Sequence, residues 1–185
     1  MHAQSSIRST VFISLFTALT AVGAYLAVPV GPVPIVLQNF FVLLAGVLLG
    51  KKRGLAVVTT YLFLGAAGLP IFHSGTGGIG VLAGPTGGYL LGYLPAVYVT
   101  GYIAEQKNTL MLTFSALIAG VLIVYIVGVP WLKIVLKLSW VKAFSAGFIP
   151  FIIGDALKIA VAIPIIKWLR PSVDTFLQLE SHGTS

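Results

Sequence analysis

Six apolar runs divide this chain, each near the roughly 20 residues that carry a helix across a hydrocarbon core. They lie at about 11–28, 36–50, 55–68, 88–104, 109–128 and 144–168. The second and third are short, which leaves five or seven crossings as alternatives. Little remains outside these runs from which to build a water-soluble surface. Only 8% of the residues are charged, against about 25% in soluble domains; 58% are hydrophobic and mean hydropathy is +1.05. The expected fold is an all-α integral membrane protein, a six-helix transmembrane bundle with external glycine-rich and amphipathic loops. A single transmembrane domain is expected over 1–185, embedded at about 11–170, with polar tails at 1–8 and 172–185.

Charge orients the bundle. In a six-span arrangement Arg8, Lys51, Lys52, Arg53, Lys107, Lys167 and Arg170 fall on one side, and Lys133, Lys137 and Lys142 on the other. Basic loops stay in the cytoplasm, so both termini are expected there, in a multi-pass protein of the plasma membrane. The net charge of +7 then reads as basic loops at a lipid surface rather than as a nucleic-acid partner. Arg8 before an apolar run also suits a signal peptide. The run is long for that purpose and no A-x-A site closes it, so a retained helix is expected.

The elaborate connections all fall on the external side. Pro29 to Pro34 is proline-rich and disfavours helix. Val129 to Ala143 places Trp131 and Trp140 near an interface and Lys133 and Lys137 on one helical face, as a surface helix or lid would. Between them lies "HSGTGGIGVLAGPTGGY" (73–89), in which Gly75, Gly77 and Gly80 spell G-x-G-x-x-G. A dinucleotide site needs a strand before this motif and an acid about 20 residues on. Here an apolar span precedes it, and the next acid, Glu105, lies across the membrane. The glycines suit a re-entrant or capping loop whose backbone approaches a ligand.

Little catalytic chemistry is available. The chain has four carboxylates, three histidines and no cysteine. It offers no paired acids, no metal-ligand spacing and no P-loop, so no cofactor, metal or enzymatic activity is expected. Asp155 and Lys158 are the exception. They sit three apart in the outer half of the last span, on one helical face. Ionisable residues there are costly and point to function; a structural ion pair is the alternative.

The stretches 31–50 ("GPVPIVLQNFFVLLAGVLLG"), 61–72 ("YLFLGAAGLPIF"), 84–93 ("GPTGGYLLGY") and 150–162 ("PFIIGDALKIAVA") together resemble the BioY family, the biotin-specific S components of energy-coupling-factor transporters. The resemblance covers about 14–171. Many relatives carry threonine where Val36 stands. The resemblance implies a membrane subunit that binds biotin from outside and delivers it inward with a transmembrane coupling subunit and two ATPase subunits. Asp155, Gln38 or Asn39 would then serve the ureido ring and Lys158 the carboxylate, with Phe72, Thr86, Tyr89 and Tyr93 around the ligand. An interfacial aromatic belt is the other reading of Tyr89 and Tyr93. Asp155 and Lys158 lie so close that both could serve one end of biotin. The implied coupling face on the first helix is Ser14, Thr17, Ala18, Ala21 and Ala24, small residues that allow close helix approach. The alternatives are an S component for another small vitamin, or a stand-alone membrane facilitator.

Overall fold

The computed structural model describes residues 2–29 and 31–178. Residue 30 and residues 1 and 179–185, with Glu180 and His182 of the expected tail, lie outside the described residues. The elements in order are α1 (His2–Tyr25), a small hairpin of β1 (Ala27–Val28) and β2 (Ile35–Val36), α2 (Gln38–Ala66), α3 (Ile79–Ala83), α4 (Gly87–Gln106), α5 (Leu110–Val135), α6 (Trp140–Gly147) and α7 (Ile152–Gln178). Single 3-10 turns precede α3 (His73–Gly75) and α7 (Ile149–Phe151).

The second and third predicted spans are the two arms of α2. The helix breaks at Gly50, whose φ of +79° and ψ of 175° suit glycine. Gly46 and Gly54 pack against each other, although a continuous helix would hold them ~12 Å apart. The chain therefore doubles back. Glu105, in the last turn of α4, pins this reversal: it accepts the Lys51 backbone N–H at 2.9 Å and pairs with the Lys51 ammonium at 3.0 Å. Six crossings result: α1, the two arms of α2, α4, α5 and α7. The helical parts Ile7–Tyr25 and Leu110–Val135 and the stretch Trp140–Leu177 are each long and apolar enough to cross a membrane. The arms of α2 are shorter but enclosed, and nearly every residue from Phe40 to Leu49 is buried.

Three expectations change. The fifth span does not stop at Gly128; α5 runs through Pro130 to Val135. Proline forfeits one helical hydrogen bond, a loss that membrane helices accommodate. The amphipathic element is therefore α6 alone, and Trp131 turns inward to donate its indole N–H to the Gly84 carbonyl at 2.9 Å. The first and last helices extend to the limits of the described residues, from His2 and to Gln178. The small-residue face of α1 also divides. Thr17 and Ala24 are buried and Ala21 packs against the core; the Thr17 hydroxyl reaches the Ile13 and Val57 carbonyls. These three face the bundle. Ser14 and Ala18 are exposed, flanked by exposed Val11, Leu15 and Val22.

Close packing at the basic end leaves no room for a methyl group on Gly101, whose Cβ would strike the backbone of Gly50 and Lys51. Gly80 has open space around it. Gly101→Ala should destabilise by about 1–3 kcal/mol, the usual cost of overpacking. It is expected to lower the melting temperature in detergent, while Gly80→Ala leaves it near that of the parent.

Candidate functional site

One cavity opens among the starts of α2, α4 and α7, the middle of α5 and the hairpin, on the side opposite Gly50. It holds about 610 Å³ of empty space, its open mouth included. Its walls are mostly apolar, with Val33, Leu90, Tyr93 and Val124 among them. The polar groups gather on one wall.

Asp155 organises that wall. Its side chain is only 6% exposed. Oδ1 accepts from Asn39 Nδ2 at 2.9 Å and from Lys158 Nζ at 3.1 Å, and Oδ2 accepts the Tyr125 hydroxyl. The Lys158 ammonium also donates to Asn39 Oδ1 and to the Val36 carbonyl, both at 2.8 Å. All three of its protons are thus engaged. Helical spacing puts Asp155 and Lys158 on one face of α7; Asn39 comes from the first turn of α2, Tyr125 from α5 and Val36 from β2. A buried ion pair is favourable only when its remaining hydrogen-bonding capacity is met, and these three elements meet it.

Two polar atoms are left over. Gln38 Nε2 and His73 Nδ1 are buried and have no hydrogen-bond partner among the described residues, and both side chains line the cavity. A buried donor without an acceptor costs about 1–3 kcal/mol, which a ligand's polar atoms would offset. Burial also holds the His73 imidazole below its usual pKa, so it is neutral at pH 7.

Gln38, Asn39, Thr86, Tyr89, Tyr93, Asp155 and Lys158 all line this cavity. Tyr89 and Tyr93 are buried, and the Tyr89 hydroxyl donates to the Gly147 carbonyl at 2.8 Å; they wall the cavity rather than form a lipid-facing belt. Phe72 is a correction. It is fully buried, packs edge-on against Tyr61 at 5.5 Å and covers Gly65. The backbone at Phe72 is extended, so adjacent side chains diverge and its neighbour His73 reaches the cavity instead. Sequence reasoning passed over His73, Tyr125 and the hairpin residues Val33, Pro34 and Val36. Tyr125 had one available signal, as the one tyrosine in the apolar span that became α5.

The glycine-rich segment forms the rim. Its backbone is largely self-satisfied: the N–H of Gly78 donates to the Gly65 carbonyl at 2.7 Å, and those of Gly75, Thr76, Val81, Gly84 and Gly87 donate to nearby carbonyls. Gly75 and Gly78 have positive φ. The glycines thus fold the rim back onto α2.

The family model described as the BioY family matches residues 1–175. The chain is 44% identical over 163 residues to "Biotin transporter BioY" of Thermotoga maritima, covering 88% of this chain and 96% of that relative. It is 39% identical over 158 residues to "Probable biotin transporter BioY" of Pyrococcus horikoshii, covering 85% and 93%. A crystal structure described as the S-component for biotin from an ECF-type ABC transporter superposes with a TM-score of 0.84 at 29% identity, covering 90% of this chain and 92% of that one.

The polar wall has a structural cost of its own. Lys158→Met leaves the buried Asp155 carboxylate without its cation, and breaking such a pair costs about 3–5 kcal/mol. The single variant should melt well below the parent in the absence of ligand. Asp155→Leu combined with Lys158→Met should recover much of the loss.

Proposed function

The chain belongs to the BioY family, and we propose that it binds biotin on the external side of the membrane and delivers it into the cell with an ATPase-driven energy-coupling module. It is a multi-pass membrane protein and a substrate-binding subunit of the energy-coupling-factor type, whose partners are a transmembrane coupling subunit and two ATPase subunits. The whole chain, 1–185, acts as one transmembrane domain. Both termini lie in the cytoplasm, a reading supported by the basic residues at the Gly50 end. The cavity then opens outward.

The single observation that carries the reading of the site is the Asp155 cluster on the wall of an otherwise apolar cavity, with the unpartnered Gln38 Nε2 beside it. Biotin offers a ureido group with two N–H donors and one carbonyl acceptor, an apolar thiophane and chain, and a carboxylate. Asp155 and Lys158 share an oxygen contact, so they serve one end of the ligand. Together they carry no net charge, which suits the neutral ureido group better than the carboxylate. An ionised carboxyl group has about four acceptor positions. Asp155 uses three of them and has one left for a ureido N–H. Gln38 Nε2 supplies a donor for the ureido oxygen. Tyr89, Tyr93 and Thr86 surround the ring system, and Phe72 supports the wall from behind. Ser14 and Ala18 form the part of α1 open to a coupling subunit, with the four-residue spacing that allows close approach.

Purified chain in detergent is expected to give saturable biotin binding by calorimetry and none with thiamine or riboflavin. Lys158→Ala should weaken biotin by about tenfold, or 1.4 kcal/mol, and a neutral biotin amide by the same factor. A loss confined to the free acid would move Lys158 to the carboxylate end.

Coupling has its own readout. Ala18→Trp should leave biotin binding unchanged and reduce uptake in cells that contain the energy-coupling module. Undiminished uptake would remove this face from the coupling surface. Uptake without any ATPase would favour a stand-alone facilitator.

A further inference from the structure

At the basic end, Arg170 is held in an unusual way. Its Nη2 donates to the Ala104 carbonyl at 2.7 Å, its Nε lies 3.9 Å from Asp174 Oδ2, and its Nη1 is buried with no hydrogen-bond partner among the described residues. Asp174 is nearly half exposed, and such a pair contributes little. Arg170 lies between two cavities. One, of about 680 Å³, also has Arg53, Glu105 and Asp174 in its walls, so its charges balance. The other, of about 630 Å³ with its open mouth included, lies between the start of α5 and the later part of α7; among the described residues its charged lining is Lys167 and Arg170 alone, with Asn108 and Thr113 as further polar groups. Two cations, one with a spare buried donor, face a groove that holds no acid among the described residues.

The surroundings are those of a membrane–water boundary. Leu110, Phe114 and Ile118 recur every fourth residue on α5 and are exposed, as are Met111 and, on α7, Trp168. Indoles favour this depth, and the exposed stripe on α5 offers an acyl chain a continuous apolar path toward the bilayer centre. Basic pockets between transmembrane helices suit anionic headgroups. Arginine with lysine beside it suits phosphate oxygens in particular.

We propose that this groove between α5 and α7 binds the phosphate of an anionic phospholipid, through Arg170 and Lys167, with an acyl chain along Leu110, Phe114 and Ile118. Occupancy would give Arg170 Nη1 its missing acceptor and brace α7 against α5 from below. Asp155 and Lys158 lie farther along the same α7.

The test is thermal melting of the purified chain in neutral detergent, with phosphatidylglycerol, phosphatidylcholine or inorganic phosphate added. Phosphatidylglycerol should raise the melting temperature saturably, and the other two should not. Lys167→Gln, at an exposed position, and Arg170→Gln should each weaken the phosphatidylglycerol response by about tenfold, the worth of one charge-assisted hydrogen bond. Arg170→Lys should restore part of it. Retained biotin binding certifies that each variant is folded, and Lys167→Gln keeps the test open if Arg170→Gln does not fold. Equal protection by phosphatidylcholine overturns the proposal, as does a phosphatidylglycerol response unchanged in Lys167→Gln. Protection by inorganic phosphate alone replaces the lipid with a free anion. Impaired coupled uptake in Lys167→Gln with an unchanged lipid response assigns the groove to an acidic segment of a partner instead.

Discussion

A carboxylate buried among apolar helices is tolerated only when its charge and its lone pairs are answered by fixed partners. Asp155 is answered by Lys158 one turn along α7, by Asn39 at the start of α2 and by Tyr125 on α5, while Lys158 reaches on to the Val36 carbonyl of the hairpin. No apolar contact could set the relative placement of these elements so narrowly, because hydrophobic packing is non-directional. The cavity exists because this cluster holds four pieces of backbone around a space that the side chains do not fill.

The two ends of the bundle solve different problems. At the basic end the chain reverses tightly at Gly50, α4 presses Gly101 against that turn, and Glu105 clamps Lys51. Connections there are short and the helices meet closely. At the other end the connections are long, and their polar backbone groups are satisfied within themselves: the hairpin pairs Ala27 with Val36, and the glycine-rich rim bonds back to Gly65. A rigid base and an internally bonded rim let one end stay closed while the other admits a ligand. The outer face of α1, with Ser14 and Ala18, is exposed.

Much of this was legible in the sequence. The apolar runs dictate a membrane bundle because nothing else can bury them, and the scarcity of charge makes each buried charge conspicuous. Asp155 and Lys158 stood out for that reason, and Gln38, Asn39, Thr86, Tyr89 and Tyr93 line the cavity with them. The second, third and fourth crossings were placed to within about four residues; the first helix starts nearer the N-terminus than expected, at His2, and the expected span 144–168 proves to be part of α6 followed by a longer α7, Ile152–Gln178. Proline misled at the fifth. Pro130 breaks a helix in water but only interrupts one hydrogen bond in lipid, so α5 runs on to Val135.

Other features belong to tertiary structure alone. Residue type and spacing place Thr17, Ala18, Ala21 and Ala24 on one helix, but only the docking of α1 onto α2 decides that Ala18 looks out and the other three look in. Phe72 and His73 are adjacent, and a single extended backbone step sends one to the core and the other to the cavity. Tyr125 is one aromatic among many until α5 and α7 come together and bring its hydroxyl to Asp155. The sequence by itself determined the solvent this protein lives in and the pair of charges it could not afford to leave alone; the number of crossings was settled by the reversal of α2 at Gly50. Which groups answer those charges was decided only in three dimensions, because hydrogen bonds are directional and Asn39 and Val36 lie more than a hundred residues from Asp155 and Lys158 in the chain.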